Sequence, residues 1–307
     1  MKIFDGHCDV LYRLKAERHL SFAKDNGLHI THEKLKKSGG KVQCFALFVS
    51  DDVPEESRFS AVLEMIDIFH KQVIEPYDDM VFVKSKQDID RLKEGQTGAL
   101  LTLEGCDAIG KDMIKLRTLF RLGVRSVGLT WNHANAAADG ATEPRAGGLT
   151  GFGFEVVKEN NLHKVWTDVS HLSERSFWDV IETADYPIAS HSNARALCDH
   201  PRNLTDQQIK ALIDKNSVMG ITFVPDFLTD RSEADINDIL RHVEHVCELG
   251  GENIIAFGSD FDGISETPKE LRSFADYHYL AEACLKYYPE KLVRGFFFEH
   301  FYRALPQ

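Results

Sequence analysis

Val218-Met219-Gly220-Ile221-Thr222-Phe223 is followed by Ile239, Leu240, Val243 and Val246, and then by Ile254-Ile255-Ala256-Phe257-Gly258-Ser259-Asp260. The outer two runs are apolar and of strand length. The middle set has the three- and four-residue spacing of one buried helix face. Strand, helix and strand in that order make a unit of parallel sheet. The unit also stops abruptly, because four residues of apolar strand give way within three positions to a carboxylate, Asp260.

The alternation extends in both directions. Candidate strands are Lys2–Phe4, Val42–Val49, Ala99–Leu103, Ser126–Leu129, Val165–Val169, Ile188–Ser190, Val218–Phe223 and Ile254–Phe257. Helical spacing recurs at Phe59, Val62, Leu63, Ile66 and Phe69, and at Ile209, Leu212 and Ile213, where Thr205 is an N-cap candidate. Eight strands with intervening helices fit a closed (β/α)8 TIM barrel of the α/β class better than a doubly wound sheet. No low-complexity linker divides the sequence, so residues 1–307 are expected to form a single barrel domain. Two connections are long, Tyr12 to Lys41 and Thr130 to Gly153. The second leaves the C-terminal end of a strand, where barrel enzymes keep their sites, and a functional loop is expected there.

Composition narrows the classes. Hydrophobic residues are 43% and charged residues 27% of the 307, the mix of a soluble globular protein. The net charge of −12 leaves no basic surplus for a phosphate backbone, so no nucleic-acid partner is expected. Cys8, Cys44, Cys106, Cys198, Cys247 and Cys284 form no C-x-x-C, and reduced thiols are the expectation. The N-terminus meets Asp5 before any apolar h-region could form, and the longest stretch without Asp, Glu, Lys or Arg, Ser126 to Ala138, is too short for a bilayer. A cytoplasmic location without a membrane partner is the resulting expectation.

Polar residues gather where the strands end. His7 and Asp9 follow the first strand, Glu104 the third, His171 the fifth, His191 the sixth and Asp260 the eighth, with His133 just beyond Leu129-Thr130-Trp131. A charge or imidazole at the exit of an apolar strand is costly to bury without a partner. Imidazole and carboxylate donors without thiolate suit Zn²⁺ or a similar divalent ion at a catalytic centre. Five donors with one bridging carboxylate allow two ions with open positions for water, while one ion with supporting neighbours fits the same spacing.

Asp5-Gly6-His7-Cys8-Asp9, Leu103-Glu104-Gly105, Asp168-Val169-Ser170-His171, Ser190-His191-Ser192, Arg202-Asn203 and Gly258-Ser259-Asp260-Phe261-Asp262-Gly263 together resemble the membrane (renal) dipeptidase family of zinc peptidases, and they stand in family order. The resemblance implies a barrel holding two Zn²⁺ per chain. His7 and Asp9 would bind the first ion, Glu104 would bridge and so serve catalysis, and His171 and His191 would bind the second. Arg202 matches the arginine that grips the dipeptide carboxylate, a task suited to a planar fork. Asp260 matches the acid that handles the proton. His133 is assigned the contact with the substrate, although the family often has its histidine directly after the Leu-Thr pair, and here Trp131 and Asn132 intervene. The implied reaction is hydrolysis of a dipeptide, with L-Xaa-D-Xaa a reasonable first panel, by a water that the two ions share and acidify. Animal members are secreted and lipid-anchored; this sequence shows neither signal and resembles a bacterial cytoplasmic member, with room for a homodimer.

Two other readings compete. Another metal-dependent amidohydrolase on the same barrel, acting on N-acyl amino acids, lactones or phosphotriesters, would share His-x-Asp and the last-strand Asp. A lysine bridge would favour it, whereas the bridge candidate here is Glu104. A degenerate barrel kept as a scaffold should have lost ligands, and all five remain.

Overall fold

The computed structural model describes residues 1–23 and 27–307. Of the long connection Tyr12 to Lys41, residues 24–26 lie outside the described residues. The remainder carries the helices Val10–Ala16 and His32–Ser38.

Nine strands are described: β1 Ile3–Asp5, β2 Gly40–Phe48, β3 Met80–Phe82, β4 Thr97–Glu104, β5 Val124–Gly128, β6 Trp166–Asp168, β7 Pro187–Ile188, β8 Met219–Ile221 and β9 Ile255–Phe257. All their ladders are parallel. Eight run side by side in the order β7-β6-β5-β4-β2-β1-β9-β8. A parallel bridge between Ala189 and Met219 brings the two ends of that path together, so the sheet curls into a nearly closed barrel. These eight are the expected strands, shifted by a residue or two. β3 was not expected. It pairs with the start of β4 beside the barrel, and three residues are too few to show a period. β7 is shorter than expected because Ser190 leaves the ladder, its N–H going to Asp168 Oδ1 at 3.0 Å.

The helices between strands start where the side chains allow. Thr205 and Gln208 form a capping box ahead of Asp206–Asp214, and Asp235 and Asp238 form another ahead of Ile236–Glu248. Each such cap stabilises a helix start by about 1 kcal/mol. The second helix buries Ile239, Val243 and Val246, the face expected from the spacing.

Side chains alternate between two cores. Phe4, Val42, Cys44, Leu100, Trp166, Ile188, Val218 and Ala256 pack together inside the barrel. Phe45, Leu47, Leu101, Leu103 and Val127 face the helical layer outside. The C-terminal helix His300–Ala304 closes the bottom: Phe301 stacks on Phe4 at 5.2 Å, and Trp166 Nε1 donates to Ala304 O at 2.8 Å. Period two then decides which residues reach the mouth. Leu100 points inward, so Thr102 and Glu104 do too. Trp166 points inward, so Asp168 does. Ile188 points inward, and Ser190 follows it.

All six cysteines are free, and five are buried. Among the described residues no helix is long and apolar enough to cross a membrane.

Candidate active site

His7, Asp9, Glu104, His171, His191 and Asp260 meet at the C-terminal mouth of the barrel. His7 Nε2 lies 3.4 Å from Asp9 Oδ2 and 3.5 Å from Glu104 Oε2. The other oxygen of Glu104 lies nearer two further imidazoles. Its Oε1 is 2.9 Å from His171 Nε2 and 3.8 Å from His191 Nε2. One carboxylate therefore addresses two groups of donors. His7, Glu104 and His191 form one cluster of metal-ligand geometry, with ligand atoms all within 4.8 Å, and His7, Asp9 and Asp260 form a second. His7 belongs to both.

Local backbone strain goes with these positions. His171 has φ 69° and Asp260 has φ 63°, both left-handed and neither glycine. Such residues persist only where the surroundings over-determine them, and they concentrate at functional sites. Gly263 makes room for the acids. A Cβ there would lie 2.3 Å from Asp9 Oδ2 and 2.5 Å from Asp260 Oδ1.

The electrostatics are those of an overcrowded site. Burial pushes the Asp260 carboxyl up to about 7, and Asp9 and Glu104 add to the push. Burial and the nearby Glu104 also raise Asp9. Burial alone would raise Glu104, but His7 and His171 outweigh it and hold this carboxyl well below its usual range. Burial would lower His7, yet Glu104 and Asp9 hold it well above its ordinary value. His171 is lowered to about 4, first by burial and then by Arg202, and His191 falls well below its ordinary value through burial and His7. A dication among these groups would favour every deprotonated form.

The hydrogen-bond pattern tests whether a metal fits. Asn132 Oδ1 takes the proton of His171 Nδ1 at 2.9 Å. Ser190 Oγ gives its own proton to Asp168 Oδ2, so toward His191 Nδ1, 2.7 Å away, it can only accept. Both imidazoles thus carry hydrogen on Nδ1 and a bare lone pair on Nε2. Those two Nε2 atoms face each other at 2.8 Å, with Glu104 Oε1 beside them. Two lone pairs and a carboxylate at such distances repel unless a cation lies among them. His7 Nε2 and Asp9 Oδ1 are also buried without a hydrogen-bond partner. The residues fit a metal centre of nitrogen and oxygen donors.

Arg202 is 3% exposed, its Nη2 donating to His191 O at 3.2 Å. Its Nε has no hydrogen-bond partner, and its side-chain hydrogen bond goes to a backbone carbonyl rather than to an acid. Burial lowers it to about 10, against the pull of Asp260, Glu104 and Asp168. The guanidinium also stands 5.5 Å from the Phe227 ring. A buried, unpaired guanidinium is an anion site waiting for its ligand.

His133 lies farther out. It is exposed, 3.5 Å from Thr142 Oγ1 and 6.3 Å from the Trp131 ring, and Trp131 in turn is 6.3 Å from His171. Phe48 packs on Trp131 at 5.2 Å and Tyr12 on Phe48 at 5.3 Å, giving the mouth an aromatic wall. The loop Thr130 to Gly153 is held by buried Asp139, which pairs with Arg145 and accepts from Gly147 N at 2.7 Å. Sequence reading missed Asn132, Asp168, Ser190 and Gly263 as parts of this site. Asp168, Ser190 and Gly263 lie in the quoted motifs, so their signal was present; Asn132 is seen only through its bond to His171.

The family model described as "Membrane dipeptidase (Peptidase family M19)" matches residues 1–307. A curated relative from Klebsiella pneumoniae, an uncharacterized protein in the pqqA 5′ region, is 39% identical over 203 residues, 62% of this chain and 74% of its own. A solved metallopeptidase of family M19, dipeptidase AC, superposes with TM-score 0.93 at 27% identity over 99% of this chain and 98% of its own. A metallopeptidase from Rhodobacter sphaeroides, solved with a phosphinate mimic of the dipeptide L-Ala-D-Ala, gives TM-score 0.93 at 26% identity over the same shares.

Proposed function

The chain belongs to the membrane dipeptidase family, peptidase family M19, and from that premise we propose that this metal-dependent dipeptidase works with two zinc ions held by His7, Asp9, Glu104, His171 and His191. The observation that carries the reading is the pair of Nε2 lone pairs at 2.8 Å, aimed together with Glu104 Oε1. His7 and Asp9 suit one ion, His171 and His191 the other, and the two oxygens of Glu104 suit a bridge because they face different donors. When bound, such a pair acidifies a water and polarises the scissile carbonyl.

The rest of the chemistry falls to the protein. Arg202 fixes the free carboxylate of the substrate, which explains why a dipeptide should fit where a longer chain would not. A carboxylate oxygen of Asp260 takes the proton of the attacking water and returns it to the leaving amine. His133, at the rim, is the candidate donor to the substrate oxygen as charge builds there. The buried setting of Asp9 and the three imidazoles keeps bulk water from screening these contacts. We take residues 1–307 as one catalytic domain.

Substrates of L-Xaa-D-Xaa type are the first choice, supported by the L-Ala-D-Ala mimic bound to the Rhodobacter sphaeroides relative. The test is a dipeptide panel of mixed chirality, run with zinc supplied and then chelated, with metal content measured on the same protein. Two zinc ions per chain and hydrolysis that chelation abolishes are expected. Fewer than one ion per chain, with no hydrolysis on metal addition, would sink the proposal.

A further inference from the structure

Two buried aspartates take no part in the steps above. Asp5 ends β1 and Asp168 ends β6, and each clasps the neighbouring strand in the same way. Asp168 Oδ1 accepts the N–H of Ser170, two residues on, and of Ser190 on the β7 exit, both at 3.0 Å, and its Oδ2 accepts the Ser190 hydroxyl. Asp5 Oδ1 accepts the N–H of His7, two residues on, at 3.4 Å and of Ser259 on the β9 exit at 2.8 Å; its Oδ2 accepts the Ser259 hydroxyl at 2.6 Å. The same carboxylate-to-serine clasp thus occurs twice in one barrel mouth.

The two clasps differ in one respect. Beside Ser190 stands an imidazole: His191 Nδ1 is 2.7 Å from the hydroxyl oxygen. Among the described residues no imidazole nitrogen meets the Ser259 hydroxyl, which lies 3.2 Å from His7 O and accepts the Phe261 N–H at 3.2 Å. At the β6–β7 clasp the direction of one proton therefore has a chemical consequence. Because the Ser190 proton goes to Asp168, the serine oxygen must accept from Nδ1–H, and the lone pair of His191 is left on Nε2, the atom facing Glu104 and His171.

We propose that Asp168, acting through Ser190, is a positioning residue that fixes which nitrogen His191 offers to a metal. The β1–β9 clasp is then the built-in comparison, a device of the same bonds that meets the His7 backbone but no imidazole nitrogen. The inference rests on the proposed metal site.

Isosteric substitution separates direction from packing. In Asp168→Asn the amide can still accept two backbone N–H groups, but its NH2 must face Ser190. The serine then accepts from the amide and donates to His191 Nδ1, so the imidazole proton moves to Nε2 and blocks the metal-facing atom. Ser190→Ala leaves Nδ1–H without its partner. Ser190→Thr keeps the hydroxyl.

The experiment is Zn²⁺ titration against a chelator on the whole protein, with unfolding temperature measured in parallel. Wild type is expected to hold two equivalents. Ser190→Ala should weaken one of them about 10- to 100-fold, the usual effect of removing such a support. Asp168→Asn should weaken the same equivalent at least as much, and Ser190→Thr should restore it to within a few-fold of wild type. Ser259→Ala should lower the unfolding temperature and leave that equivalent unchanged. If Ser190→Ala loses stability but holds both zincs with wild-type affinity, or if Ser259→Ala weakens the same equivalent equally, the assignment is overturned. Should Asp168→Asn not fold, the Ser190→Ala and Ser190→Thr pair decides. A wild type that binds no zinc removes the proposed function and this inference together, whereas intact zinc binding in all the variants removes only this one.

Discussion

Replacing Arg202 by Met tests the carboxylate clamp most directly. The guanidinium has five N–H donors, and the structure engages Nη2 alone, on His191 O, while leaving Nε buried without a partner. A substrate carboxylate would add two charge-assisted bonds in a fork, each contributing about 1.5–3 kcal/mol. Their loss together is about 3–6 kcal/mol, and at 1.4 kcal/mol per decade KM should rise roughly 10²- to 10⁴-fold. Because the carboxylate keeps its charge throughout the reaction, the bond is equally strong in ground and transition states, and kcat should change little. The assay is kcat and KM on one dipeptide and on its C-terminal amide, for wild type and variant. The amide offers no anion, so on it the two proteins should nearly agree. Stability supplies a second readout. Removing a buried charge that no acid pairs should hold Tm or raise it. Equal losses on acid and amide, or a clear fall in Tm, would refute the clamp.

Asp260→Asn should leave binding of the two proposed zinc ions intact and lose about 10²- to 10⁴-fold in kcat, the range for a missing acid–base group, and near-full turnover would make the proton role wrong. Gly263→Ala places a methyl 2.3 Å from Asp9 Oδ2 and 2.5 Å from Asp260 Oδ1, so zinc affinity and kcat should fall together by at least tenfold; unchanged values of both would show that neither carboxylate needs its present place. His242 tests stability against pH. It is buried, accepts from Ala194 N at 3.1 Å and donates to Leu228 O at 3.0 Å, and burial lowers it to about 4. The unfolded chain binds its proton below about 6.5, while the folded one resists until about 4, so stability is full above 6.5 and falls as pH drops through that window by about 3 kcal/mol. Urea midpoints of wild type and His242→Asn, compared from pH 7 to pH 4, should show a shallower fall in the variant. Parallel curves would remove His242 from the acid sensitivity.

The eight barrel strands and their polar exits were legible because both signals are local. An apolar run of four or five residues needs no partner to be seen, and Glu104 announces itself by following Leu100-Leu101-Thr102-Leu103. β3 escaped because its three residues gain their strand geometry only from pairing with β4. The supports of the site were hidden for a related reason. Asp168 and Ser190 are 22 residues apart and become one unit only because β6 and β7 are neighbours. Asn132 reads as an ordinary loop residue until its oxygen is seen on His171 Nδ1. His133, the candidate that sequence reading placed at the substrate, lies a layer outside that bond, beyond Trp131.

The glycines explain how ligands from opposite strands come so near. Phe4, Val218 and Ala256 fill the barrel, and the next inward positions along those strands are Gly6, Gly220 and Gly258. A Cβ at Gly258 would lie 1.9 Å from Ser190 O, one at Gly220 2.0 Å and one at Gly6 2.9 Å. The three bare positions let the exit of β7 lean across the axis. His191 follows Ser190, so that lean carries its ring to 3.9 Å from His7 and 4.9 Å from His171. Any side chain at 220 or 258 would meet backbone, which cannot turn aside as a flexible side chain can, and would push Ser190 outward. His191 would go with it, and the Nε2 that the Asp168 clasp is proposed to present to a metal would be withdrawn from Glu104. The distance between donors is therefore set one layer below them, by residues that touch neither metal nor substrate.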